Sequence, residues 1–295
     1  MVYKSTSRKI FLGFDLLILA FLSLTCLLPF ANLLAVSFSG ATAVAGGEVT
    51  FWPVDFTIYS YQFALQGGKF LRAMMISLLR VFLGVSSNLI LMIITAYPLS
   101  KPKEKFKGRG IYMVFFLITM LINGGLIPTY LIVVKMGLKD NIWSLILPGA
   151  LPVYNMIILM NFMRGIPEEI EEAAMIDGAG TFRILGQIIL PLLKPALATV
   201  GLFCIVGHWN DWFSGMLYMS KPSGYPLQTY LQTLLQNFEQ IMQTSSGDYA
   251  ALLSRMNTRT GRAAQLFLGA LPVMMIYPFL QKYFTNGLVL GSVKG

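Results

Sequence analysis

The chain has 295 residues, 56% of them hydrophobic and 12% charged, with a mean hydropathy of +0.67. Soluble domains usually carry about twice that charged fraction, so composition excludes an ordinary water-soluble fold and indicates a chain embedded in lipid. The net charge of +9 does not indicate nucleic acid, because Lys and Arg sit in short loops beside apolar runs rather than on one basic face.

The first apolar segment runs from about Leu16 to Val36, behind Lys4, Arg8 and Lys9. It is too long for a signal-peptide core and lacks a small-residue cleavage site, so it reads as a span that stays. Ser39–Phe70 is too polar to span, and its aromatics suit a membrane interface. A second segment runs from about Val81 to Leu99 and a third from about Ile111 to Val134. A fourth covers about Ile142 to Met163, a fifth Leu192 to Met219 and a sixth Ala263 to Phe284. Each is long enough for about 30 Å of hydrocarbon at about 1.5 Å per residue.

Between the last two segments, Lys221–Arg262 is polar, with a short amphipathic helix predicted around Leu231–Met242. Pro148, Pro152, Pro272 and Pro278 are expected to kink their spans. The predicted class is all-α: one polytopic membrane domain, residues 1–295, with about six transmembrane helices. Cys26 and Cys204 fall in apolar runs and read as packing residues. There is no metal-ligand spacing, and one His cannot build a metal site alone.

Basic residues orient the chain. An even number of spans puts both termini on one side. The short loop KPKEKFKGR, Lys101–Arg109, places that side in the cytoplasm. The opposing basic cluster at Arg255–Arg262 lies in a longer loop, where the rule is weaker. Pro167–Pro191, between spans four and five, then faces the cytoplasm.

That segment is polar, acidic and punctuated by Gly. Pro167 suits a first helical turn, and Glu168 and Glu169 sit near the positive end of the helix dipole. Ile166, Ile170, Ala173 and Ala174 recur at steps of three and four, predicting one small-residue face. Gly178-Ala179-Gly180 breaks the helix, and Thr181 is placed to cap a second short helix ending at Pro191. The prediction is a helix-turn-helix along the membrane surface.

Glu172-Ala173-Ala174, three residues, Gly178, nine residues and then Ile188-x-Leu190-Pro191 form a fixed pattern. It resembles the cytoplasmic coupling loop of ABC importer permeases, here about residues 164–191. The stretches NGGLIPTYLIVVKMGLKDNIWSLILP, HWNDWF and LPVMMIYPFLQKYF and the ending NGLVLGSVKG extend the likeness over nearly the whole chain. They resemble carbohydrate importer permeases, most of all the second permease of the maltose type, and the branch that handles oligosaccharides from complex polysaccharides.

The resemblance implies a multi-pass subunit of a bacterial inner or cytoplasmic membrane. It would form the translocation pathway of an oligosaccharide importer with a second, homologous permease. Two ATP-binding subunits would drive the importer and an extracytoplasmic solute-binding protein would serve it. Glu172, Ala173, Ala174, Asp177 and Gly178 match the coupling motif. Gly178 is expected to set its turn, and Glu172 to contact the ATPase. ATP and Mg would belong to that partner, with no cofactor or catalytic residue in this chain, which has no GxxxxGK[ST] phosphate loop. The resemblance also implies that Gly287–Gly295 lies at the ATPase interface and that the outer loop around Ser254–Thr260 reaches the binding protein.

A sugar pathway needs hydroxyl-binding groups and aromatic faces inside the bilayer. The candidates are Asn88, Asn123, Tyr154, Asn155, His208, Trp209, Asn210, Asp211 and Trp212. Each has a plainer reading: the Asn residues bond neighbouring helices, the Trp residues belong to the interfacial belt, and His208 is packed. Arg80 either snorkels to the outer interface or faces the pathway beside Arg72 and attracts carboxylated sugars such as uronate fragments. The alternatives are an ABC permease for another small solute and an ion-driven secondary transporter. The second would favour acidic residues buried within spans and related halves, and no repeated halves are visible.

Overall fold

The computed structural model describes residues 6–65, 68–236 and 257–292, and every regular element among them is helical. They fall into two compact units, Met1–Phe70 with Leu231–Leu271, and Leu71–Tyr230 with Pro272–Gly295.

In the first unit α1 (Thr6–Ser37) is about 48 Å long at 1.5 Å per residue. None of its apolar window is buried by the chain itself. The chain then turns back on the end of α1 through α2 (Ala41–Ala45) and α3 (Tyr59–Leu65). Phe38 stacks between Phe56 and Tyr61, with centroids 5.4 and 4.7 Å away. Ser37 and Tyr61 share a 2.7 Å hydrogen bond. Phe51, Trp52 and Phe56 are exposed, as interface aromatics would be.

The second unit is built on α4 (Lys69–Ser100). Phe70, Ala73, Ser77, Arg80, Gly84, Asn88, Met92, Ala96 and Leu99 recur at steps of three and four and are all buried. This face of α4 is therefore polar in its middle, from Ser77 to Asn88, and apolar at both ends, the longer apolar stretch running from Met92 to Leu99. That stretch packs with α7 (Val153–Arg164) and α11 (Lys194–Asn210) through Met156, Leu159, Met160, Ala196, Val200 and Cys204.

Three of the predicted spans are broken. The third divides into α5 (Arg109–Leu121) and α6 (Leu126–Lys135), bent by 111°. Asn123-Gly124-Gly125 makes the break: Asn123 Oδ1 accepts the Gly125 N–H at 2.9 Å, and Gly125 has a φ of 88°. The fourth begins as 3₁₀ turns, Ile142–Leu145 and Leu147–Gly149, and bends by 54° into α7 where Pro148 and Pro152 interrupt the ladder. The fifth ends as a helix at Asn210, and Asp211 is extended rather than helical.

Among the described residues two helices, α1 and α4, are long and apolar enough to cross a membrane, and up to five spans result if each bent pair counts as one. The predicted sixth segment lies inside the last helix, Thr258–Ser292. The amphipathic helix predicted around Leu231–Met242 is found as α13 (Leu227–Gln236), and residues 237–242 lie outside the described residues, as do Ser254, Arg255 and 293–295.

Candidate functional site: an acidic hairpin and a polar stripe

α8 (Glu168–Ile176) follows Pro167, with Glu168, Glu169 and Glu171 in its first turn, where the helix dipole favours anions. Asp177 closes it, and Gly178 reverses the chain with a φ of 80°. The return arm starts as α9 (Thr181–Ile184), passes through a π-turn at Leu185–Ile189 and ends as α10 (Leu190–Leu192). Gly180, not Thr181, holds the N-cap position, and Thr181 is the first helical residue. The arm is bent by 81° from α11.

The predicted small-residue face divides in two. Ala174 is buried and Ile166 packs beside it, with Ala179, Ile184 and Ile189, against α4 and α7. Ile170 and Ala173 face outward. The reason is Glu171, which sequence reasoning passed over in favour of its neighbour: it is buried, and its carboxylate takes both of its bonds from Lys101 at the end of α4. Lys101 also lies over the Tyr97 ring, 4.1 Å from its centroid. Burying Glu171 turns the adjacent helix face to solvent.

The loop that set the orientation is thus also a clasp. Lys105 bonds Glu168 at 3.0 Å and lies 3.6 Å from Glu172, and the Glu168 bond raises the Lys105 pKa above the usual lysine value. Arg109 donates to the Lys101 carbonyl and Arg164 to that of Leu99. Around the hairpin tip, Ile176 is 86% exposed and Phe182 90%. An open groove of about 610 Å³ beside α8 is edged by Glu168, Glu169 and Glu172.

Further up α4 the polar stretch of its buried face binds broken backbone. Asn88 donates to the carbonyls of Gly149 and Ala150, at 3.0 and 2.7 Å, just before Pro152, which offers no N–H. Its oxygen meets His208 Nε2 at 2.8 Å. Gly84, one turn away, makes room: a Cβ there would stand 2.5 Å from that nitrogen. Arg80, only 2% exposed, reaches the Leu145 and Asp211 carbonyls and the Asp211 carboxylate. Asp211 Oδ1 in turn accepts the Ser214 N–H at the start of α12 (Phe213–Tyr218).

This corrects both readings of Arg80. It neither snorkels nor stands free in a pathway; it pairs with Asp211 and bonds carbonyls that helix breaks leave open. Trp209 is also corrected, being 2% exposed and so no belt residue. Asn88, His208 and Asp211 come together on this stripe. Among the described residues Asn155 reaches Cys204 Sγ, at 3.7 Å, and Asn123 holds its own turn. Tyr154, Asn210 and Trp212 are exposed, with Trp212 set edge-on to Phe213.

Residues 57–289 match the family described as binding-protein-dependent transport system inner membrane component. The chain belongs to that family. As such a component it is a membrane transport subunit rather than an enzyme. It is 35% identical to Protein LplC of Bacillus subtilis (strain 168), over 100% of this chain and 98% of the relative. It is 36% identical to the polygalacturonan/rhamnogalacturonan transport system permease protein YtcP of the same organism, over 96% and 98%. Among solved structures it is similar to a chain of a bacterial ABC transporter involved in the import of the acidic polysaccharide alginate. There the TM-score is 0.82 at 31% identity, covering 96% of this chain and 100% of that one.

Proposed function

We propose that this transport subunit is one of two unlike permeases in an ATP-driven importer of acidic oligosaccharides. In this reading it has six spans, both termini are cytoplasmic, and its α8–α10 hairpin seats in a cleft on a separate ATPase. The observation that carries the reading is the hairpin: its shaft is packed and clasped to α4, while its tip offers Ile176 and Phe182 to a partner. Large exposed apolar groups on a short polar loop are what an interface needs. The glutamates beside them suit a basic partner surface. ATP binding would close the ATPase pair and move both hairpins, opening the pathway to a docked binding protein. ATP and Mg would be held by the partner.

The cargo class draws support from relatives, one named for polygalacturonan and rhamnogalacturonan and one for an acidic polysaccharide. The test is substrate-stimulated ATPase activity of the reconstituted complex, with binding protein loaded from a panel of uronate and neutral oligosaccharides. Stimulation by uronate oligomers alone supports the proposal. Stimulation by neutral oligomers alone overturns the cargo and leaves the coupling reading intact. A Phe182→Ala, Ile176→Ser variant that keeps full ATPase association and stimulation overturns the hairpin's role.

A further inference from the structure

A second site stands at the far end of α1. α14 (Thr258–Ser292) begins there with a reciprocal cap: Asn257 Oδ1 accepts the Thr260 N–H at 2.8 Å, and Thr260 Oγ1 accepts the Asn257 N–H at 3.2 Å. The Asn257 amide also donates to the Ala41 carbonyl at 2.9 Å. On α1, Asn32 donates to the Thr50 carbonyl at 2.6 Å. These bonds frame a pocket of about 360 Å³.

Beside Asn32, whose amide is held by the Thr50 carbonyl, and Gly47, its walls are aliphatic: Leu33, Val36, Val44, Val49, Ala263 and Leu266. Its cations are Arg259 and Arg262, three residues apart on α14 and so on one helix face. Both are exposed, neither is in an ion pair among the described residues, and no acidic residue lines the pocket. It sits where the apolar run of α1, Arg8–Ser37, ends, which on the spanning reading lies near the boundary between hydrocarbon and water.

We infer that this pocket binds the headgroup and upper acyl region of an anionic phospholipid. An aliphatic floor with two unpaired arginines at its rim complements a ligand that is apolar below and anionic above. A sugar would call for aromatic faces and hydroxyl-binding groups, and the pocket lining includes no aromatic side chain. On the proposed topology, with both termini cytoplasmic, Arg259 and Arg262 lie outside, where the positive-inside rule disfavours cations, and the inference gives a reason for them. It holds for either class of cargo.

The test compares phosphatidylglycerol with phosphatidylcholine binding to the assembled complex, by native mass spectrometry and by the thermal shift each lipid produces. With Arg259→Gln, Arg262→Gln the preference for phosphatidylglycerol at this site is expected to fall about thirtyfold, from about 1 kcal/mol per cation. Arg259→Lys, Arg262→Lys should retain most of it. Val36→Trp, which fills the pocket and keeps both arginines, should abolish it. An unchanged preference in the Gln and Trp variants overturns the inference. So does a Gln variant that weakens binding-protein affinity in nanodiscs of pure phosphatidylcholine, because the arginines would then serve a protein partner.

Discussion

Arg80 of α4 and Asp211, where α11 ends, close a 2.5 Å ion pair across 131 positions of sequence. Removing a partner from a buried pair leaves an uncompensated charge, at a cost of about 3–5 kcal/mol. Asp211 is 32% exposed, so Asp211→Ala is expected near the lower end of that range, about 3 kcal/mol. Arg80→Met, Asp211→Leu should recover part of the loss, leaving the Leu145 and Asp211 carbonyls without a donor. Thermal unfolding of the purified complex measures both. A neutral Asp211→Ala would show that the pair holds nothing.

Gly84 and His208 fit only because the glycine has no side chain. Gly84→Ala is expected to cost about 1–3 kcal/mol from overpacking. His208→Ala should relieve part of that cost, so the double variant would be less destabilised than the sum of the two. A double-variant cycle of melting temperatures reads the coupling, and strict additivity would refute the contact.

Lys101 and Glu171 join α4 to the α8–α10 hairpin, proposed above to couple to the ATPase. Glu171→Gln or Lys101→Met should leave the ATPase associated but lower substrate-stimulated hydrolysis several-fold, since the hairpin would move without carrying α4. The swap Lys101→Glu, Glu171→Lys should restore a measurable part. Full stimulation in both single variants would mean that the clasp transmits nothing.

Gly178 has open space around the position of a Cβ, so only its φ of 80° constrains it. Asn tolerates that region and β-branched residues do not. Gly178→Asn is expected to keep transport, and Gly178→Val to lose most of it with the complex still assembled. Equal activity in the two would remove the turn from the mechanism.

Asp140 lies in the polar loop after α6 (φ 61°), where the Ser220 N–H holds its carboxyl below the usual carboxylate pKa. A lowered folded value means that the contribution is present above the unfolded pKa, about 3.9, and lost as pH falls through the folded one. Asp140→Asn should therefore be less stable than the parent near neutral pH, with the two curves converging below about pH 4. Melting temperatures across that range decide it, and parallel curves would contradict it.

The first two spans, the hairpin and its turn were legible because each is a local pattern: an apolar run of spanning length, or glycines between short helices. What was missed is long-range or subtle. No local signal pairs Lys101 with Glu171, so the burial of Glu171 and Ala174, which leaves only Ile170 and Ala173 of the predicted face outward, was not legible. The break at Asn123-Gly124-Gly125 was readable as a turn, but apolar length outweighed it. Arg80, Gly84 and Asn88 share a four-residue step, the one sign available that Arg80 turns inward with Asn88.

The helix breaks draw the chain's buried polar groups inward: Asn88 and Arg80 serve carbonyls of their own backbone. Such an interior is indifferent to what passes beside it. On the proposed function, a change of cargo would then fall to residues on open faces, such as Tyr154 and Trp212, and would leave this internal frame untouched.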